Sequence, residues 1–478
     1  MVRLIINNNT TKLEGDPKIL NQVFKAFRFK HPQAFHIRAR IKFHWDGYVE
    51  PISKKGMLKT GLLQEVVKYL VEELNVEDFE VQDYRKFPEV GEVPKVIGPF
   101  TLRPYQIEAA ESLLRNEVIG LPVYRGIVVA AVNAGKTLSM AAVHVAVTGA
   151  KTLIMLNNSV LFKQLKADMK QLFPDSYGYL QGKQVKWGDI MVVMVMSLSN
   201  RLEEYQEKLQ EYNVMLTDEC DLAANKTFIG VYKALQHISI RGGFTGTAFL
   251  RELKKDMPRN IQMKEVFGSP LYEITMSELE KLEVSTKIVV KIIMGNLSTS
   301  NSPNFKEEWD NLITYNPQRH AVILKRVRFN LKAGRKYIMI FCKFIAQVEE
   351  TYNFLKDSLP PNVSIAYAHH KSDHTPVIAG FKEGSINVLV CSLFLKRGLN
   401  LPLIRTIINA AGGQFYSSPL QIAGRGTRKH SSKKVVYLED IWDAGKYLAS
   451  HSNQRIQYYK AQNLTLRDLR HSPAFNKK

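Results

Sequence analysis

Cysteine is nearly absent from this chain. Cys220, Cys342 and Cys391 are odd in number, far apart, and lie in or beside apolar runs. Such a set forms neither a disulfide framework nor a zinc site, and it points to a reducing compartment, the cytoplasm. Long hydrophobic runs are missing too. Ile127–Val132 is short, follows Arg125 closely and leads into a polar turn, so no bilayer-spanning helix and no membrane partner are expected. The opening "MVRLIINNNTTKLEGD" has no secretory apolar region followed by a small-residue cleavage site. There is no internal repeat and no long low-complexity tract. Acidic residues are in deficit, 45 against 66 Lys plus Arg, a formal net charge of +21. An excess of that size favours polyanions, nucleic acid or an anionic membrane surface; the bland alternative is a solvated surface in an organism with basic proteins.

What is present divides into segments. With 478 residues, 45% of them hydrophobic, the chain is long enough for about three domains. Residues 1–95 read as a small α+β module. In "HIRARIKFHWDGYVEPI", Ile37, Ala39, Ile41, Phe43 and Trp45 alternate with Arg38, Arg40, Lys42 and His44, which predicts a strand with one oily and one basic face. Asp46-Gly47 is a hairpin-turn signal, and "GLLQEVVKYLVEEL" has helical spacing. Lys25, Arg28, Lys30, Arg38, Arg40, Lys42, Lys54, Lys55 and Lys59 face only Asp46 and Glu50 between residues 25 and 60, so Arg38, Arg40 and Lys42 are candidate phosphate contacts. Residues 87–100, rich in Pro and Gly, read as a linker. Beyond it, short apolar strands such as Ile127–Val132, Thr152–Leu156, Val214–Thr217, Asn387–Cys391 and Lys434–Leu438 alternate with helical segments such as Leu138–Val147 and Leu202–Tyr212. That alternation predicts an α/β fold with parallel sheets covered on both faces. The expected domains are 98–280 and 285–445, with a weakened pattern over 275–335 and a polar, initially helical tail over 446–478.

The chemistry begins at "AAVNAGKTLSM". A phosphate loop reads G-x-x-x-x-G-K-[ST]; here Ala130 takes the place of the first Gly, and Gly135, Lys136 and Thr137 complete the pattern. An apolar strand precedes it and a helical segment follows, the context in which backbone N–H groups cradle phosphates. Lys136 would reach the β/γ-phosphates of a nucleoside triphosphate and Thr137 would ligate Mg²⁺. In "VMLTDECDLA", Asp218 at a strand's end can hold the same Mg²⁺, and Glu219 can orient and deprotonate the attacking water. "SSPLQIAGRGTRKH" supplies Gln421, Arg425 and Arg428 in the spacing Q-x-x-G-R-x-x-R, two arginines on one helical face that can meet charge on a γ-phosphate.

"LRPYQ", "AAVNAGKT", "TDEC", "FTGTA", "VLVCSLFLKRGLNLP" and "QIAGRGTR" follow the order of the superfamily 2 helicase motifs over roughly residues 100–440. The chain therefore resembles that superfamily, and the resemblance implies two tandem RecA-like parallel-sheet domains preceded by the α+β module, with ATP and Mg²⁺ between the two. It implies that Gln106 reads adenine, with Arg103 beside it, and that Asn133, Ala134, Gly135, Lys136 and Thr137 hold the phosphates. It implies that Thr245 and Thr247 couple hydrolysis to domain movement, and that Asn157, Asn158, Ser159, Val160, Ser197 and Ser392 lie on the nucleic-acid track. Gly398 and Asn400 would touch both ATP and nucleic acid, although Asn400 replaces a common Asp and Ser392 a common Thr. Within the superfamily the chain is most similar to the phage UvsW-type, RecG-like branch-migration helicases, which share a small basic N-terminal module with a W-D-G turn, here Trp45-Asp46-Gly47. The expectation is an ATP-dependent DNA helicase acting on branched, duplex or single-stranded DNA, a monomer, in the host cytoplasm if phage-encoded. The competing readings are an RNA helicase, because "DECD" resembles the DEAD-type box, and a nucleic-acid-binding scaffold without a working ATPase. Thr245-Gly246-Thr247 in place of S-A-T and the N-terminal module speak against the first. The full set Lys136, Asp218, Glu219, Gln421, Arg425 and Arg428 speaks against the second.

Overall fold

The computed structural model describes residues 1–38, 45–223, 225–246, 257–296, 302, 304–393, 403–413 and 435–471. The chain forms two compact units. Met1–Ala130 with Gly135–Ile274 make the first, and Ala131–Ala134 with Thr275–Lys478 make the second.

The first unit opens with a four-stranded sheet in the order Met57–Lys59, Thr10–Glu14, Val2–Ile6, Phe79–Asp83. Val2, Leu4 and Ile6 are all buried, a period of two that turns one face of the strand to the core. Two helices cover that face. Pro17–Phe27 starts at Asp16, whose carboxylate accepts from the Lys18 backbone N–H at 2.8 Å. In Leu63–Glu72, Leu63, Val66, Val67 and Leu70 point inward at helical spacing, as its sequence predicts. The expected basic strand is not formed where its description begins. Ala34–Arg38 is a helix, so Ile37 and Arg38 close a helical turn instead of alternating across a sheet. A turn at His31–Gln33 leads into it: the His31 ring accepts from the Gln33 N–H at 3.1 Å and its backbone carbonyl from Ala34 N–H at 2.9 Å. Arg40 and Lys42 lie outside the described residues. At Asp46-Gly47, Gly47 has φ 88° and the Asp46 carboxylate accepts from Tyr48 N–H at 3.0 Å; the strand that follows, Tyr48–Val49, pairs antiparallel with Phe29–Lys30 across the connection 31–47, so these two residues are not the tip of a two-residue hairpin between them.

Residues 87–100 are packed, not a loose linker. Val90 bridges to Val147, Gly91 N–H donates to Ala146 O, and Val93 and Ile97 are buried. The N-terminal module is itself fixed to the large sheet of the same unit. The Arg125 guanidinium, buried in that sheet, donates to Asn8 O at 2.5 Å, and Lys264 pairs with Glu65 at 2.5 Å. At Gly61 a Cβ would strike the backbone carbonyls of Lys264 and Glu265, so only glycine permits that approach.

That large sheet has eight strands in the order Gln184–Lys186, Tyr177–Gln181, Ile190–Met194, Thr152–Leu156, Val214–Asp218, Ile240–Thr245, Arg125–Ala130, Pro270–Ile274. Every pairing is parallel except that of the hairpin Tyr177–Gln181/Gln184–Lys186. All six residues of Arg125–Ala130 are buried, as a strand covered on both faces requires.

The second unit holds a seven-stranded, all-parallel sheet: Ile365–Ala368, Val388–Ser392, Ile338–Cys342, Thr406–Asn409, Val435–Asp443, Lys287–Asn296, Thr465–Asp468. Lys287–Asn296 falls where the sequence pattern weakens. A lysine, Lys291, interrupts its apolar run and sits beside buried Glu439 at 3.7 Å. Val435–Asp443 carries three buried acids. Glu439 is held by Arg326, Asp443 by Arg319 at 2.7 Å, and Asp440 by Arg455 at 2.8 Å, all of these arginines being buried. Residues 446–471, read as a tail, supply the helix Leu448–Ala461, which brings Arg455 to Asp440, and the edge strand Thr465–Asp468.

Candidate active site

Parallel strands end together, so the loops at their C-terminal ends share one edge of a sheet. In the first unit the register aligns Val129 with Thr245, Phe244 with Asp218, and Thr217 with Met155. The loop after Ala130, the pair Asp218-Glu219, Thr245 and the Asn157–Ser159 turn thus lie along that edge.

The loop after Ala130 leads into the helix Lys136–Ala146. Asn133 (φ 74°) and Gly135 (φ 80°) are left-handed, the backbone alternation that turns successive N–H groups toward one point. The Lys136 ammonium folds back over the loop and donates to Ala130 O at 3.3 Å, within the concavity a phosphate would fill. Thr137 stands half-buried in the helix's first turn. Ala130 is the last residue of its strand and buried, and its backbone is not among those with positive φ. That position has no conformational need for glycine.

Gln106 lies beside this loop. It is 1% exposed, and its Oε1 accepts from Arg103 N–H at 3.0 Å at the start of the helix Pro104–Leu114. A Cβ on Gly135 would collide with its amide nitrogen, so the carboxamide packs on the loop itself. Arg103 turns its guanidinium to the Tyr105 hydroxyl at 3.2 Å.

Asp218 ends its strand, and its Oδ1 accepts from Glu219 N–H at 3.0 Å. Glu219 is left-handed, at φ 54°, in the sharp turn after the strand. Asp221, which sequence reasoning passed over, accepts from the Thr245 hydroxyl at 3.2 Å and lies 3.5 Å from Arg259. Its signal was available as the last residue of "TDECD". Cys220 is not a nucleophile here. Burial, reinforced by Asp221, Glu219 and Asp218, pushes its thiol well above the usual range.

The expected track residues have structural work as well. Asn158 caps the helix Ser159–Leu172, its side chain accepting from Val160 and Leu161 N–H at 3.0 Å each. Asn157 and Ser159 are exposed beside it. The Ser197 hydroxyl accepts from Gly182 N–H at 2.7 Å. In the second unit Ser392 ends the strand Val388–Ser392 and is 5% exposed. Thr247, Gly398, Asn400, Gln421, Arg425 and Arg428 lie outside the described residues. No helix among the described residues is long and apolar enough to cross a membrane.

Comparison with known proteins matches residues 99–250 to the family described as type III restriction enzyme, res subunit, and residues 320–430 to the helicase conserved C-terminal domain. Among curated proteins the chain is similar to the ATP-dependent DNA helicase uvsW of Enterobacteria phage T4, 21% identical over 498 residues, covering 94% of this chain and 95% of that protein. Among solved structures it is similar to a fragment of a putative HsdR subunit of a type I restriction enzyme from Vibrio vulnificus (TM-score 0.54, 17% identity, 79% of this chain and 69% of that one). It is also similar to S. cerevisiae Dbp5 bound to RNA and ADP BeF3 (TM-score 0.51, 14% identity, 77% and 90%). These likenesses show a shared fold, in which each large parallel sheet is a RecA-like domain.

Proposed function

We propose that this chain, which carries a restriction-enzyme res-subunit domain and a helicase conserved C-terminal domain as superfamily 2 helicases do, is an ATP-dependent DNA helicase that remodels branched DNA by branch migration and fork regression. The observation that carries the ATPase part is the alignment of Lys136, Asp218, Glu219 and Thr245 along one edge of one sheet. The DNA part rests on likeness over nearly the whole chain to a protein described as a DNA helicase.

The residue roles in this reading are those the sequence motifs imply. Loop N–H groups and Lys136 bind the β- and γ-phosphates, and Gln106, packed on the loop, lies where it can read the base. Mg²⁺ fits the oxygen donors Thr137 and Asp218, which suit a hard cation. Among the described residues no three His, Cys, Asp or Glu side chains gather to hold a metal, so phosphate oxygens would complete its shell. Bound there, the ion would neutralise charge on the β- and γ-phosphates. Glu219 accepts the proton of the attacking water. Thr245, tied to Asp221, reports the state of the acidic turn to the neighbouring strand. Gln421, Arg425 and Arg428 supply the countercharge from the second domain, where Gly398 and Asn400 contact ATP and DNA, and Thr247 acts with Thr245. Asn157, Asn158, Ser159, Ser197 and Ser392 border the strand being moved, and Arg38, Arg40 and Lys42 hold phosphates by charge. The protein works as a cytoplasmic monomer.

ATP hydrolysis measured with single-stranded DNA, duplex, four-way junction and RNA tests this reading. Junction DNA should stimulate most and RNA least, and Lys136→Ala should abolish the stimulated rate while leaving DNA binding intact. Hydrolysis near the wild-type rate in that variant, or equal stimulation by RNA, would overturn it.

A further inference from the structure

The second unit carries a cluster of cations that the motor chemistry does not use. In a parallel ladder, paired residues face the same side. Lys291 pairs with Glu439 on one neighbour and with Arg467 on the other, so all three side chains share one face of the sheet. Tyr437, two residues before Glu439, shares that face. The helix Pro317–Lys332 contributes Arg326 and Phe329, and the turn after it contributes Arg335.

The charges do not balance. Glu439 is already held at two points by Arg326, Nε to Oε2 at 2.7 Å and Nη2 to Oε1 at 2.5 Å. Lys291 approaches the same carboxylate only to 3.7 Å. Among the described residues neither Arg335 nor Arg467 makes an ion pair with a carboxylate; Arg335 binds the Asn330 amide oxygen instead, and neighbouring Asp468 is taken by Arg470. Lys291 and Arg335 both lie on the Tyr437 ring, at 4.1 and 4.0 Å from its centroid. Burial depresses the Lys291 ammonium to about 8. Glu439 opposes that shift, and Arg335, Arg326 and Arg467 add to it. Arg326 and Lys291 are buried with Glu439, whereas Arg335 is half-buried and Arg467 exposed; an anion bound by these two relieves their repulsion with the buried cations.

The location separates this cluster from the helicase edge. Ser392 lies at the C-terminal end of its strand, whereas Arg335 precedes the strand Ile338–Cys342 on the opposite edge. We propose that Arg335 and Arg467, beside the buried Lys291, Glu439 and Arg326, form a second DNA contact, binding backbone phosphates of an arm of branched DNA other than the one on the motor track. This rests on the DNA-helicase reading. The occupant is a phosphodiester backbone because the accessible cations are spread over a turn and an edge strand, the floor offers no base-reading groups, and the chain's net charge of +21 already favours polyanions.

The test compares wild type, Arg335→Ala/Arg467→Ala and the charge-retaining Arg335→Lys/Arg467→Lys. Binding of a four-way junction is titrated over a salt series, and ATPase is measured with saturating single-stranded DNA. The alanine variant should flatten the slope of log affinity against log salt by about 1–2, since each phosphate contact contributes about 0.9. Its ATPase should stay at the wild-type level, and the lysine variant should keep most of the slope. An unchanged slope in the alanine variant overturns the second contact while leaving the helicase reading standing. A matching loss of single-strand-stimulated ATPase overturns it by placing these residues on the track. A wild-type protein whose ATPase ignores DNA would instead overturn the helicase reading.

Discussion

At Ala130 the sequence departs from the usual phosphate loop, and the structure shows why the departure is tolerated. The residue ends a buried strand in extended conformation, whereas the left-handed turn falls at Asn133 and Gly135. The two positions therefore make opposite predictions. Ala130→Gly should leave ATPase within about twofold and cost roughly 0.5–1 kcal/mol of stability from the freer backbone. Gly135→Ala faces both a strained φ of 80° and a collision with the Gln106 carboxamide, and should lower ATPase at least about tenfold. Steady-state ATPase and urea unfolding of the two variants check this, and equal behaviour would remove the argument. The motif was legible because its residue types are dictated by phosphate geometry. The packing of Gln106 on Gly135 was not, because no local pattern reveals a contact between residues so far apart in the chain.

Among the elements, those read correctly from sequence are those whose periodicity is not interrupted. Arg125–Ala130, Thr152–Leu156 and Leu63–Glu72 bury every residue or one clean stripe. The strand Lys287–Asn296 was missed because a buried lysine reads as surface unless its partner is known, and Glu439 lies far along the chain. The expected helix Leu202–Tyr212 is reduced to Gln206–Leu209 preceded by turns. At 37–38 the helix Ala34–Arg38, entered through the turn at His31–Gln33, replaces the expected alternation. The helix Met257–Phe267 supports a pH prediction. Burial raises its Glu265 to about 6, with Lys59 opposing. A carboxyl raised in the folded state holds its proton more tightly there. Stability therefore falls as pH rises from the unfolded value near 4.5 through about 6, and the penalty is complete above that. Glu265→Gln should stabilise the protein by about 1–2 kcal/mol at pH 7 and show little difference near pH 4. Urea midpoints at the two pH values decide it, and a variant less stable than wild type at pH 7 would contradict the sign.

On the scale of the whole molecule, composition conveyed the class but not the mounting of the parts. The charge excess and the order of the motifs pointed to a nucleic-acid motor, while residues 87–100 looked like a tether because proline and glycine are the same signal whether a segment is loose or packed. The packing is visible only in the bridge from Val90 to Val147 and in the burial of Val93 and Ile97. Gly61→Val tests the mounting, since its side chain must displace the Lys264 and Glu265 carbonyls. It should lower the thermal midpoint by several degrees, at roughly 2–4 °C per kcal/mol, and make residues 87–100 sensitive to protease. A variant as resistant as wild type would show that the module is not held there.

That mounting has a mechanical consequence. Asn8 is hydrogen-bonded to Arg125, at the root of the strand that carries the phosphate loop, and Glu65 is paired with Lys264 in a helix packed on the same sheet. Two side-chain contacts on one sheet tie the module to it, so a displacement of that sheet is passed to the N-terminal module as well.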